Sequence, residues 1–379
     1  MKKRKITKQI TAGTLKIGGD APVSVQTMTN IPIDNIDANI ALIHRLSDAG
    51  AQLVRLAVKD MDAVKSFETI KKQVKIPLCA DIHFDHKLAI AVIKKGADKI
   101  RINPGNIKSQ EKVKEIIKAA KDYKVPIRIG VNGGSIDRKK YIHPTPKVLV
   151  ESAIDHIKIL EDNDFSDIVV SIKTSNLNDT IQANILFSEK YDYPLHIGLT
   201  EAGFGDSCIV QSSIAIGTLL YNGIGDTIRV SMTGDPLEEV KIGREILKSM
   251  GLIEEGIKII SCPTCGRMDV RFDVRKIAEE VTVRFSTTGS VGANNHSPSV
   301  ETDNYPSLRP TSTPTTGSTT IAIMGCEVNG PGEARDADYG LAGGHDGYVM
   351  LFAKGKKIKK VLIEEAVDAL MQELSAAKK

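Results

Sequence analysis

The sequence predicts an α/β fold in two parts: an N-terminal (β/α)8 TIM barrel over residues 1–256 and a smaller α+β domain over 257–379. Three observations carry this reading. Short β-branched runs alternate with longer amphipathic segments from residue 20 to about 250, polar residues gather at the C-terminal ends of those runs, and the rhythm stops where a CxxC pair begins.

The strands are expected at Pro22–Gln26, Gln52–Ala57, Ile76–Ile82, Lys99–Asn103, Pro126–Val131, Asp167–Ile172, Pro194–Leu199 and Asp226–Ser231. Each is followed by a helical pattern, such as Ala38–Ala49, Lys108–Tyr123 or Pro236–Met250. Eight strand–helix units in this length are the signature of a closed parallel barrel. An open doubly wound sheet fits less well, because no GxGxxG follows the first strand.

Active sites of such barrels lie at the C-terminal ends of the strands. Those ends carry Gln26, Arg55, Asp81 with His83, Arg101 with Asn103, Arg128 with Asn132, Ser171 with Lys173, Thr200 with Glu201, and Ser231. Several pairs are two residues apart, so they share one face of a strand and point together into the barrel mouth. Any one of them alone reads as a solvated loop residue. Polar residues at the same end of all eight strands read as a functional mouth.

The second part opens with a strand over Ile257–Ser261, then CPTCGR, then a helix over Asp273–Val281. Residues 286–320 are rich in Ser, Thr, Pro, Asn and Gly, with too few large apolar side chains to offset ordering entropy, and are expected to be a disordered insertion. Order is expected to return with a strand at Ile321–Met324, the turn GCEVNGPGEA, a strand at Tyr348–Phe352 and a closing helix at Leu362–Leu374.

Composition narrows the function. A net charge of +4 over 379 residues, no Trp and 4% aromatic residues argue against a nucleic-acid-coating or strand-stacking protein. The basic start Met1–Lys5 has no apolar run behind it, and no stretch is long enough to span a membrane. A cytosolic protein with reduced thiols is expected, in which a CxxC points to metal or redox chemistry rather than a structural disulfide.

Of the five cysteines, Cys79 and Cys208 lie in apolar contexts and read as small core residues. Cys262 and Cys265 form the CxxC, just past a strand in a turn that lets two sulfurs converge. Cys326 lies 61 residues beyond Cys265, and Glu333 ends the glycine-rich turn that follows it. Three thiolates leave a tetrahedral zinc one ligand short, or leave one iron of a four-iron cluster without a cysteine and open to a substrate oxygen. Glu333 is a natural fourth ligand, since a hard carboxylate leaves iron more readily than a thiolate. Spacing favours the cluster, with zinc and a redox dithiol as the other readings.

Longer motifs go further. PVSVQTMTN at 22–30, ADIHFD at 80–85, KIRINPGN at 99–106, RIGVNGGS at 128–135, SIKTSN at 171–176 and HIGLTEAG at 196–203 are followed by GIGDTIRVSMTGDP at 223–236, ISCPTCGR at 260–267 and MGCEVNGPGEA at 324–334. In order and content these resemble the bacterial 4-hydroxy-3-methylbut-2-enyl diphosphate synthase family, over nearly the whole chain. The resemblance implies a barrel followed by a cluster domain similar to half of a sulfite or nitrite reductase. It implies a [4Fe-4S] cluster on Cys262, Cys265, Cys326 and Glu333. The implied reaction is reduction of 2-C-methyl-D-erythritol 2,4-cyclodiphosphate, with ring opening and loss of a hydroxyl as water. Flavodoxin or ferredoxin would supply two electrons, and the enzyme would be a homodimer in which the barrel of one protomer faces the cluster of its partner.

The residues agree with that chemistry. Arg55, Arg101, Arg128 and Lys173 can bind a diphosphate, and Asn103, Asn132, Ser171 and Ser231 can orient it. Glu201 is the first choice for the carboxylate near the leaving hydroxyl, with His83 and Asp81 as alternates. The six residues Gly251–Gly256 are too short a connection to fold the second domain over its own barrel mouth, which also points to a homodimer. Two departures stand out: Thr27 and Ile31 replace the family's more usual Ser and Thr, and the 286–320 segment is longer than usual. The competing reading is a phosphate-binding barrel lyase or aldolase with a structural zinc domain.

Overall fold

The computed structural model describes residues 1–82, 85–103, 107, 109–134, 136, 143–254, 256–266, 268, 271–288, 319–326, 336–344 and 346–376. The chain divides into two compact units, Met1–Ile253 and Glu254–Lys379.

A short hairpin, β1 (Ile10–Ala12) and β2 (Leu15–Ile17), precedes the first unit's main sheet. Then come β3 (Ser24–Met28), β4 (Leu53–Ala57), β5 (Leu78–Asp81), β6 (Lys99–Ile102), β7 (Ile127–Asn132), β8 (Ile168–Lys173), β9 (His196–Ile197) and β10 (Thr227–Ile228). Helices α1 (Ile36–Asp48), α2 (Met61–Gln73), α3 (His86–Lys94), α4 (Gln110–Tyr123), α5 (Pro146–Glu161), α6 (Leu177–Lys190), α7 (Gly205–Tyr221) and α8 (Pro236–Ser249) follow the eight strands in turn. All neighbouring strands are parallel, in the order β8-β7-β6-β5-β4-β3-β10-β9, and a parallel bridge from Val170 to Leu195 closes the ring. The expected barrel is present, with all eight strands in place.

Local chemistry explains the elements. Asp60, Ser109 and Thr145 accept hydrogen bonds from backbone N–H groups in the first turns of α2, α4 and α5. Pro146 and Pro236 open α5 and α8, where a missing N–H costs nothing. Strands β5, β6 and β8 are buried along their whole length, as parallel strands covered by helices must be. Ile10, Ala12 and Ile17 of the hairpin pack against Leu53, Cys79 and Val169. Leu53 begins β4, so the hairpin plugs the N-terminal end of the barrel and leaves the C-terminal end to ligands.

The second unit is a five-stranded sheet in the order β11 (Ile257–Ser261), β12 (Thr319–Met324), β13 (Tyr339–Gly343), β14 (Tyr348–Ala353), β15 (Lys356–Leu362). The first three strands are parallel and the last three form an antiparallel meander. Ile321 and Ile323 pack in one core with α9 (Val274–Thr288) and α10 (Ala366–Ala376), while Ala322 and Met324 pack with Phe352 in a second, so β12 alternates between two apolar faces.

Several expectations need correction here. The segment expected to be a disordered insertion gives up both its ends: residues 286–288 continue α9, and Thr319 and Thr320 pair with Ile257 and Lys258. Phe285 packs on the core and carries the helix forward, and the Asp338 carboxylate accepts from the Thr320 N–H at 2.8 Å. Residues 289–318 lie outside the described residues. Strands β13 and β15 were not expected. The closing helix starts at Ala366 rather than Leu362, because 356–362 pair with β14 and a 3-10 turn, Ile363–Glu365, intervenes. None of the described helices is long and apolar enough to cross a membrane.

Candidate active site

Strand register decides which polar side chains meet. Asp81 pairs with Arg101, and Arg101 with Arg128, so three charged residues stand level on β5, β6 and β7. The Asp81 carboxylate lies 3.3 Å from Arg101 Nη1 and 3.8 Å from Nε of Arg55 on β4. One carboxylate therefore serves two guanidiniums. Gly130, two residues past Arg128, makes room for this layer: a Cβ there would stand 2.8 Å from Arg101 Nε. Arg128 is 3% exposed, and its Nε and Nη1 have no hydrogen-bond partner among the described residues; Arg101 Nε is in the same state.

On the adjoining strand, β8, Ser171 and Lys173, both buried, pair with Gly130 and Asn132 of β7. Gly198, with φ of +144°, lets β9 approach: a Cβ there would lie 3.0 Å from Lys173 Nζ and 2.2 Å from the Arg229 carbonyl oxygen. Asn103 is buried at the end of β6. Ser231 is half-buried past β10, where its carbonyl oxygen faces the Cys208 thiol.

Two more cations enter this site. Arg229, just past β10, pairs with Glu239 on α8 through Nε at 3.1 Å and Nη2 at 3.0 Å. Lys99, at the start of β6, is wholly buried and donates from Nζ to Gln26 Oε1 at 3.0 Å. Neither was chosen from the sequence. Arg229 stands two residues before the chosen Ser231 and shares its side of the chain, and Lys99 stands two before Arg101; the i, i+2 pattern was the available signal.

Six cations against the carboxylates of Asp81 and Glu239 make the interior strongly positive, and the side chains respond. Burial, then Arg55, pushes Arg128 down to about 9. Burial pushes Lys99 down to about 8. Lys173 falls well below the usual lysine range through burial and the nearby Arg128, Arg229 and Arg55. Arg55 is lowered by burial, against the pull of Asp81. Burial and the same cations hold the His196 imidazole neutral. Such a site is short of anions, and a multiply charged oxyanion would restore its balance.

Beside the cations opens a cavity of about 370 Å³, lined by Asn132, Gly133, Thr174, Asn176, Thr200 and Glu201 among others. Glu201 is exposed and holds a left-handed backbone, φ +55°, a strained geometry for a residue with a side chain. The structure thus gathers Arg55, Asp81, Arg101 and Arg128 in one cluster, and Asn132 and Glu201 around one cavity. His83 lies outside the described residues.

In the second unit, parallel pairing of Ser261 with Ile323 brings the ends of β11 and β12 side by side, so Cys262 and Cys326 leave the sheet from the same edge. The Gly325 N–H donates to Cys262 Sγ at 3.1 Å. Gly325 sits where a Cβ would approach Met268, Val274 and that sulfur at 3.1–3.5 Å. Cys265 is exposed, and none of the five cysteines is in a disulfide. Among the described residues no three Cys, His, Asp or Glu side chains are gathered as a metal site. Glu333 lies outside the described residues.

With the geometry in place, residues 7–244 match the family model described as the GcpE TIM-barrel domain and residues 258–376 match the GcpE protein C-terminal domain. The chain belongs to the GcpE family. Relatives named 4-hydroxy-3-methylbut-2-en-1-yl diphosphate synthase (flavodoxin) align end to end with it. The one from Clostridium perfringens is 47% identical across 97% of this chain and 98% of its own length. That from Caldanaerobacter subterraneus subsp. tengcongensis is 48% identical across 99% and 98%. The family resemblance carried by the motifs therefore holds over nearly the whole chain, and the two matched domains fall on opposite sides of the connection around residue 250.

Proposed function

We infer that the chain reductively opens 2-C-methyl-D-erythritol 2,4-cyclodiphosphate to 4-hydroxy-3-methylbut-2-enyl diphosphate. The observation that carries this is the buried, anion-deficient mouth, above all Arg128 with two buried N–H groups lacking partners among the described residues. Leaving such donors unmade costs roughly 1–3 kcal/mol each, a cost that a bound diphosphate removes.

In this reading Arg55, Arg101, Arg128 and Lys173 hold the diphosphate, and Asn103, Asn132, Ser171 and Ser231 orient the carbon skeleton. Glu201 stands over the cavity and gives a proton to the hydroxyl that leaves as water; Asp81, already shared by two arginines, positions them instead. A [4Fe-4S] cluster fits the sulfur end. Cys262 and Cys326 emerge from one sheet edge, the Gly325 N–H points at the Cys262 sulfur, and none of the cysteines is held in a disulfide. Cys262, Cys265, Cys326 and Glu333 would hold it. When bound, the cluster would pass on the donor's electrons one at a time and offer a Lewis-acidic iron.

Flavodoxin is the electron donor in this reading, with ferredoxin as the other carrier of the same class. A homodimer is supported by the outer face of α7, where Val210, Ile214 and Tyr221 are exposed at helical spacing. Anaerobically prepared protein should contain about four irons and four sulfides per chain and turn over the cyclic diphosphate with reduced flavodoxin. A colourless, iron-free protein that cleaves carbon–carbon bonds of phosphorylated substrates would overturn the assignment.

A further inference from the structure

We propose that Glu239 is a positioning residue that aims Arg229 at the diphosphate, an inference that rests on the function just proposed. The Glu239 carboxylate is 4% exposed and accepts four hydrogen bonds. Thr27 Oγ1 donates to Oε2 at 2.7 Å, Arg229 Nε to the same oxygen at 3.1 Å, Arg229 Nη2 to Oε1 at 3.0 Å, and the Met232 N–H to Oε1 at 3.1 Å. Both oxygens are thus saturated from three directions: β3, the end of β10, and the loop that follows it.

This arrangement leaves Arg229 one working edge. A two-pronged pair fixes the plane of the guanidinium and occupies Nε and Nη2. Nη1 is turned instead toward Met28 Sδ, at 3.9 Å, the same sulfur that Arg55 approaches from Nε at 3.0 Å and Nη2 at 2.9 Å. Arg229 is also close enough to depress the pKa of both Arg55 and Lys173, which places its charge within the mouth. The Met232 contact ties the same carboxylate to the loop carrying Ser231. Thr27, where the family more often has Ser, keeps the hydroxyl donor that Glu239 needs, which accounts for the tolerance of that change.

The test compares wild type, Glu239→Gln, Arg229→Ala and the double variant as full-length protein. Calorimetric Kd for the cyclic diphosphate, KM, kcat and melting temperature are all measured. Glu239→Gln should weaken Kd and raise KM about tenfold, the worth of one charge-assisted contact, with kcat within about twofold. In the Arg229→Ala background the same change should add almost nothing to Kd, because the residue acts through the arginine. An unchanged Kd in Glu239→Gln, or an equal loss in both backgrounds, overturns the proposal in favour of a structural staple. Should Glu239→Gln fail to fold, Thr27→Val removes one of the four donors and should cost about threefold in Kd, again only when Arg229 is present. Inorganic pyrophosphate serves as a second probe. Wild type that binds pyrophosphate but not the cyclic diphosphate sinks the substrate assignment and leaves the pyrophosphate cycle to decide on Glu239; wild type that binds neither overturns both.

Discussion

The barrel mouth and the sulfur end of the second unit are built in opposite ways. At the mouth, charged side chains are buried, level with one another and crossed by hydrogen bonds: Asp81 serves Arg101 and Arg55, and Glu239 accepts four donors. At the sulfur end, Cys262 and Cys326 are half-buried and Cys265 is exposed; the Gly325 N–H donates to Cys262 Sγ, the Cys262 N–H to the Ile323 carbonyl and the Met268 N–H to the Cys265 carbonyl, all backbone donors with no charged side chain among them. The mouth is organised before its ligand arrives. A metal-binding end obtains much of its order from the metal, because ligand convergence and binding free energy come together.

The largest effect should therefore fall on the less organised region. Replacing Cys262, Cys265 or Cys326 with Ser should abolish cluster and turnover, a loss of more than about a hundredfold, while the first unit melts as in wild type and still binds the cyclic diphosphate. Full iron content in any one variant would remove that cysteine from the ligand set. A barrel that melts with the cluster would erase the contrast between the two regions.

At the mouth the expected losses are graded. Arg55→Ala, Arg101→Ala, Arg128→Ala and Lys173→Ala should each weaken substrate affinity about ten- to a hundredfold, the worth of roughly 1.5–3 kcal/mol per charge-assisted contact. Arg128→Ala should cost most, since its Nε and Nη1 are buried without a partner among the described residues. Unaltered Kd values in all four would place the diphosphate elsewhere.

How much of this could be read from the chain differs between the regions for a physical reason. Parallel strands buried on both faces write themselves as β-branched runs, and the polar residue ending each run is a local signal; Arg55, Arg101, Arg128 and Lys173 were found that way. Arg229 and Lys99 were not, because one follows a two-residue strand and the other begins its strand, where a lysine reads as solvent-facing until the ring closes around it. Glu239 lies in the first turn of α8, where a carboxylate is ordinary helix chemistry, and only the fold shows it turned inward to Arg229. In the second unit the lysine-rich Lys356–Leu362 hides an edge strand, since lysines suit an exposed edge as well as a solvated loop. The cysteines were found by spacing alone, which names ligands and says nothing of how they are held.

A smaller effect tests how tightly the mouth is preset. Gly130→Ala would bring a methyl to 2.8 Å from Arg101 Nε, and that side chain must shift by some tenths of an ångström. Affinity should fall about three- to tenfold with little change in melting temperature, because the far end of a long side chain yields at less cost than backbone. Gly198→Ala meets a backbone oxygen instead and should destabilise the barrel outright. Equal melting losses in the two would mean that the Arg101 layer is as rigid as the strands.

The mildest perturbation is pH, and it separates stability from binding within the same site. Burial holds Lys99 near 8 in the fold, against 10.5 for an ordinary lysine. Between those values the unfolded chain binds more protons than the folded one, so stability rises with pH across the window. Below pH 8 the ammonium is charged in both states, and the full cost of burying it is present. Affinity for a diphosphate should move the other way: as Lys99 loses its proton near 8, the mouth loses charge that holds its ligand, and binding above pH 8 must take a proton up. From pH 7.5 to 9.5, then, melting temperature should climb by a few degrees while Kd rises about tenfold. Lys99→Met should lessen the stability slope, the depressed Lys173 supplying the remainder, and raise the melting temperature at pH 7, since losing the Gln26 contact costs about 1 kcal/mol, less than a buried ammonium. It should leave the cluster's visible spectrum untouched, the second unit having no part in this titration. A melting temperature that falls through the window, identically in wild type and Lys99→Met, would show that Lys99 is solvated and that the mouth is not preset in the way the sulfur end is not.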